Sequence, residues 1–141
     1  MIVTTDIKQT TISKKISLKG VGLHTGKDVT LTFVPSSADI GYVFKRVDLE
    51  NSPTIKADIK YVSSTDRGTC LNKNGLIIQT CEHVLAALVG SEIDNVIIEL
   101  NESEPPIMDG SAKFFVDALQ KAGVKQLDAK RREFIVKRVI S

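Results

Sequence analysis

Cysteine, histidine, excess charge and long apolar runs are all scarce in this 141-residue sequence, and each scarcity removes a class of protein. There are only two cysteines, Cys70 and Cys81, and no signal-like apolar core follows Met1-Ile2-Val3. Two thiols in that setting read as reduced, buried small hydrophobes rather than a disulfide. No apolar run approaches the roughly 18 residues that a membrane helix needs, so an integral membrane protein is not expected and the chain reads as cytoplasmic. With 19 basic and 17 acidic residues the formal net charge is +2. That balance is too even to draw in nucleic acid or a membrane surface by electrostatics, although it leaves room for a small acidic ligand. Internal repeats and low-complexity segments are also missing. What is present is a 42% hydrophobic content, enough at this length for one domain with a real core and tight for two.

Periodicity divides the chain into alternating strands and two helices. Thr11–Lys19 alternates around Ile16 and Leu18, and Gly20–Gly26 follows as a glycine-rich turn without the spacing of a nucleotide phosphate loop. Asp28–Pro35 places Val29, Leu31 and Phe33 on one face. Gly41–Arg46 and Thr54–Tyr61 are further strands, the latter with Ile55, Ala57, Ile59 and Tyr61 on one side, separated by a loop over Asp48–Pro53. The polar loop Ser63–Gly68 leads into Thr69–Leu71, which Asn74-Gly75 turns into Leu76–Ile78 as a hairpin. A helix is expected from Thr80 as N-cap to a stop at Gly90, a central strand over Ile93–Leu100, and a second helix from Ser111 as cap to Gly123. Glu133–Ile140 reads as a last strand with nothing after it to close a hairpin. The chain is therefore expected to be the front part of a longer protein, though a terminal strand docking into its own sheet would look the same. Spacing alone predicts an α+β domain.

The chemistry concentrates at Thr80-Cys81-Glu82-His83, where an acid and an imidazole stand together in the first turn of the expected helix. The unpaired amides and dipole there favour an ionised carboxylate and a neutral imidazole, the form that binds metal. The pair could supply half of a zinc hydrolase site, with the imidazole as ligand and the carboxylate as base. No second histidine lies one turn away, and Thr80 stands where the inverted motif H-x-x-E-H would need one. The two histidines, His24 and His83, are far apart, so three ligands cannot be counted from the sequence. Asp109 could reach in or could simply support the turn before the second helix. A lone pair of this kind is more often structural than catalytic.

Several stretches together resemble the zinc-dependent UDP-3-O-acyl-N-acetylglucosamine deacetylases, which carry out the committed step of lipid A synthesis in Gram-negative bacteria. They are Gly20-Val21-Gly22-Leu23-His24-Thr25-Gly26, Thr80-Cys81-Glu82-His83 with Leu85-Ala86-Ala87-Leu88, Ile93-Asp94-Asn95-Val96, and Pro106-Ile107-Met108-Asp109-Gly110-Ser111-Ala112. Four ordered motifs at compatible spacing are specific where any one would not be. The resemblance covers nearly the whole chain and implies hydrolysis of the N-acetyl amide of a UDP-sugar by water activated at Zn2+, with Glu82 as general base and His83 as one metal ligand. It implies a two-layer sandwich, a mainly antiparallel β-sheet packed against two α-helices, and assigns residues 1–141 to the N-terminal domain of a two-domain enzyme. The family's other two ligands, a histidine and an aspartate one helical turn apart, belong to the second domain, as do its protonating histidine and oxyanion-contacting threonine. The isolated chain is accordingly expected to bind zinc poorly and to be inactive. The resemblance also places Asp66, Arg67 and Gly68 in a loop that in relatives borders the acyl-binding side of the substrate site. His24 takes either a substrate-side role or that of a turn histidine bonded to the backbone. The competing reading is a noncatalytic α+β binding module, including an RNA-associated one, for which Lys14-Lys15 and Lys130-Arg131-Arg132 are the best support; those read more simply as solvated faces.

Overall fold

The structure is a computed structural model that describes all 141 residues. In chain order the strands and helices are β1 (Ile2–Ile12), β2 (Ile16–Val21), β3 (Asp28–Pro35), β4 (Tyr42–Arg46), β5 (Thr54–Lys56), β6 (Val62–Ser64), β7 (Cys70–Lys73), β8 (Leu76–Ile78), α1 (Glu82–Gly90), β9 (Val96–Leu100), α2 (Lys113–Ala122) and β10 (Val124–Phe134). Alternation builds the main sheet. In β3 the side chains of Val29, Leu31 and Phe33 are buried, and in β9 Val96, Ile98 and Leu100 are fully so. The five-stranded sheet runs β2-β3-β9-β4-β5, antiparallel throughout except for the parallel pairing of β4 with β9. β9 is central, as its apolar content predicts.

Two helices cover the sheet. α2 turns Phe115, Ala118, Leu119 and Ala122 inward, and α1 turns His83, Val84, Ala87 and Leu88 inward. Phe115 meets Phe33 of β3 edge to face at 6.4 Å. The buried apolar side chains form a single cluster, so the chain is one α+β domain of mainly antiparallel sheet layered with two helices. No helix is long and apolar enough to cross a membrane.

Several elements depart from the sequence expectation. β1 and β10 form an antiparallel ribbon of their own, with Ile2 opposite Phe134 and Ile12 opposite Val124. The expected Thr11–Lys19 strand is thus two strands, broken at Ser13. The expected last strand, Glu133–Ile140, lies largely beyond β10, with Val139 and Ile140 exposed. The ribbon is polar and is held by backbone pairing, with exposed cross-strand ion pairs such as Lys8–Asp128 and Lys130–Asp6 alongside, so a reading based on apolar alternation passes over it. The Thr54–Tyr61 strand stops at Lys56, because the Asp58 carboxylate accepts a hydrogen bond from the Lys60 amide and caps a 3-10 turn over Ile59–Tyr61, leaving Ile59 exposed. β6, read as loop, pairs with β7. β9 begins at Val96 rather than Ile93, since the buried Asn95 side chain accepts from the amides of Ile40 and Gly41 and donates to Gln9, taking that stretch out of the ladder.

Candidate active site

The β7–β8 hairpin turns on Asn74 and Gly75, both at positive φ, as the Asn-Gly pair predicts. It delivers the chain to Thr80, where the structure corrects the capping expectation. Thr80 is buried with φ of 51°, and the N-cap is Cys81, with no side-chain capping bond. Cys81 has helical backbone (φ −94°, ψ −4°) and Thr80 left-handed backbone, so neither is the extended, side-chain-bonded cap residue that usually opens a helix. A β-branched residue in the left-handed region costs on the order of 1–3 kcal/mol, so this entry to α1 is strained. Ser111 is likewise one residue short of the α2 cap, Ala112; its hydroxyl accepts from the Lys113 amide and donates to Asp109. Gly90 is the last residue of α1 but not its left-handed stop: that position is Glu92, with φ of 57°, whose amide bonds to the Val89 carbonyl while the Ile93 amide bonds to the Leu88 carbonyl.

Glu82 and His83 are held in different ways. The Glu82 carboxylate is exposed and accepts a hydrogen bond from the Thr69 amide at 2.9 Å. Gly68 lets the loop come this close: a Cβ there would stand 3.2 Å from Glu82 Oε1, at a φ of 136° that side chains rarely adopt. His83 is buried, its ring edge-on to Phe115 at 5.2 Å, and its Nε2 lies 3.2 Å from the Pro106 carbonyl. A carbonyl only accepts, so Nε2 carries the proton and Nδ1 keeps the lone pair. This is how a metal-binding imidazole is commonly oriented.

The other residues singled out from sequence gather around this pair. His24 donates from Nε2 to the Arg67 carbonyl at 3.0 Å, so its ring is bonded to the backbone of the very loop that holds Asp66 and Gly68. Arg67 and Thr80 line two adjoining recesses. One contains Glu82, His83, Met108 and Asp109; the other contains His24, Asp66 and Gly68. Asp109 is turned to its own turn: the Ser111 hydroxyl and amide bind its carboxylate and hold it below the usual carboxylate range.

Glu104 is the residue that sequence reasoning missed. It is fully buried, yet it accepts from the amides of His24 at 3.1 Å and Thr25 at 2.9 Å. Burial pushes its carboxyl up, but the Thr25 and His24 amides, with help from the Thr80 side chain and the His24 charge, outweigh it and leave it below the usual range. A Cβ on Gly22 would lie 2.8 Å from its Oε2, so glycine is required there for close approach rather than for an unusual φ. An acid preceding Pro105-Pro106 gives no sign in the sequence of where it points.

Both cysteines are free. Burial first, and the Glu82 charge second, push the Cys81 thiol up to about 12, so it is neither a nucleophile nor a ready metal ligand at neutral pH. No group of three or more histidine, cysteine, aspartate or glutamate side chains is arranged to hold a metal ion. The donor set fits one imidazole ligand beside one carboxylate, not a complete zinc site. A separate polar recess is lined by Asp39, Asp94, Arg131 and Arg132, whose charges pair among themselves at 3.1 and 3.4 Å, and by Lys56 and Glu133.

Known proteins resemble the chain over most of its length. Residues 9–141 match the family described as LpxC, UDP-3-O-acyl N-acetylglycosamine deacetylase. The chain is 44% identical over 135 residues to the UDP-3-O-acyl-N-acetylglucosamine deacetylase of Cellvibrio japonicus, covering 96% of this chain and 45% of that protein. It is 46% identical over 134 residues to the enzyme of the same name from Nitrosococcus oceani, covering 95% of this chain and 44% of that protein. With the bifunctional enzyme LpxC/FabZ of Bacteroides thetaiotaomicron the identity is 44% over 131 residues, covering 93% of this chain and 28% of that protein. The chain thus spans less than half the length of each of these relatives. A binding-module reading is not favoured by any of these matches. With the match running almost from end to end, the chain belongs to the LpxC family of UDP-3-O-acyl N-acetylglycosamine deacetylases.

Proposed function

We propose that this chain forms one wall of the active site of a zinc-dependent deacetylase that hydrolyses the N-acetyl group of UDP-3-O-acyl-N-acetylglucosamine. The observation that carries the reading is the pairing at the start of α1. Glu82 has an exposed carboxylate oriented by the Thr69 amide, and the adjacent His83 has its Nε2 proton engaged by Pro106, leaving Nδ1 with a lone pair. In this reading Glu82 is the general base that takes a proton from the attacking water, and later returns one toward the leaving amine or passes it on. His83 is one of three protein ligands to Zn2+. When bound, the ion supplies Lewis-acid polarisation of the amide carbonyl and eases ionisation of water. The remaining ligands come from a second domain, for which residues 1–141 are the N-terminal partner; the shorter coverage of the relatives supports this. His24, Asp66, Arg67 and Gly68 border the substrate. The same reading puts the protein in the cytoplasm, where two free thiols are stable.

The test is a pair of variants in the full-length protein. Glu82→Gln should retain zinc by elemental analysis while losing on the order of a hundredfold or more of deacetylase turnover, and His83→Ala should lose the metal. Equal zinc content in the two variants would break the assignment. The 141-residue chain alone should show no turnover and little zinc.

A further inference from the structure

We propose that Glu104 is a positioning residue for Glu82, acting through the His24 turn and the loop over Asp66–Thr69. Glu104 is fully buried and has no lysine or arginine partner, so an ionised carboxylate there is justified only by what it binds. Its two oxygens take the amides of His24 and Thr25, which fixes the turn. The turn fixes the His24 ring, and the ring donates to the Arg67 carbonyl at 3.0 Å. Two residues further on, the Thr69 amide donates to Glu82 Oε2 at 2.9 Å. These bonds and the short stretches of backbone between them form one continuous relay from a buried acid to the exposed one. The same segment holds the other reactive group as well, because Pro106, two residues after Glu104, supplies the carbonyl that orients His83 at 3.2 Å. One buried stretch of three residues therefore sets both neighbours at the start of α1.

Packing alone does not account for the arrangement. The His24 ring is exposed and belongs to no apolar cluster, so its bond to Arg67 ties two surface loops together without adding to the core. The strained Thr80 lies next to the same loop, its hydroxyl 3.4 Å from where a Gly68 Cβ would be, so the segment entering α1 is held from both sides.

The ordering itself is independent of the deacetylase reading; its effect on turnover rests on Glu82 being the base. Both are read in the full-length protein with three variants, Glu104→Gln, His24→Leu and His24→Gln. In Glu104→Gln and His24→Leu, amide exchange in the segment containing Thr69 should quicken by roughly tenfold. The same two variants should lose about 10- to 100-fold in kcat with KM and zinc content little changed. His24→Gln, whose amide can still donate to the Arg67 carbonyl, should recover part of both. If Glu104→Gln does not fold, the two His24 variants decide. Unchanged exchange at Thr69 in His24→Leu overturns the relay, and if turnover nevertheless falls the ring contacts substrate directly. A wild-type protein without zinc-dependent turnover would instead overturn the deacetylase reading, while the exchange measurement would still report on the ordering.

Discussion

The β1–β10 ribbon and the face at the start of α1 are built on opposite terms. The ribbon is long and polar, and its cross-strand ion pairs are exposed; the Asp6 and Asp128 side chains are fully open to solvent. Its order comes from the backbone ladder, and surface ion pairs of that kind contribute little. The α1 face is the reverse. It carries a buried carboxylate with no lysine or arginine partner, a buried histidine bonded to a carbonyl, and left-handed backbone at Thr80 and Met108. The first region spreads its stabilisation over many replaceable contacts, whereas the second concentrates it in a few that cannot be exchanged. That concentration is what a site needs if two side chains are to be held in a fixed relation.

The contrast predicts a steep gradient of sensitivity. The largest effect should come from Phe115→Ala, which removes a fully buried ring contacting both Phe33 and His83; about 3–5 kcal/mol should be lost in chemical denaturation, and zinc affinity should fall with it. A loss under about 1 kcal/mol would mean that the site is not supported from the core as described. Gly22→Ala should cost about 1–3 kcal/mol by the same measurement, because the new methyl would overlap Glu104 and Thr25.

Acid sharpens the comparison further. Glu104 is held below its ordinary value of 4.5 in the folded protein, so its contribution is fully present above the unfolded carboxyl range and is lost as pH falls through the lower folded value. Denaturation midpoints measured from pH 7 downward should therefore drop more steeply for the wild type than for Glu104→Gln; parallel curves would deny the carboxylate its role. The smallest effect should be in the ribbon. Lys8→Ala and Lys130→Ala should leave the melting temperature unchanged within error, and a clear drop in either would show that those ion pairs matter after all.

Legibility in the sequence follows the same division. Val29, Leu31 and Phe33, the Asn74-Gly75 turn, and the apolar spacing of α2 each express a local rule, and the structure follows them. Glu82 and His83 stand out as an acid and an imidazole at a helix start, but that local pattern is more often structural, and only the resemblance of the surrounding motifs gives them roles. β1 and β10 were missed because their pairing partners are far away in the chain and no apolar face marks them. Thr80 reads as a cap by residue type and position, but its own left-handed backbone and the helical backbone of Cys81 open α1 without a side-chain cap. Glu104 looks like any loop acid until the Gly22–Thr25 turn is folded over it.

The pairing of Ile2 with Phe134 also bears on how quickly the domain assembles. Closing that ribbon joins segments from the two extremes of the chain, and the parallel match of β4 with β9 spans the whole β5–α1 excursion between them. Both contacts demand large loop closures before they return any energy, which places this domain among slow folders. The β7–β8 hairpin is local and can form early, whereas α1, which carries Glu82 and His83, follows it in the chain and packs against α2. A refolding experiment should accordingly show hairpin protection at Leu71–Ile78 before protection at Val96–Leu100, with the ribbon last.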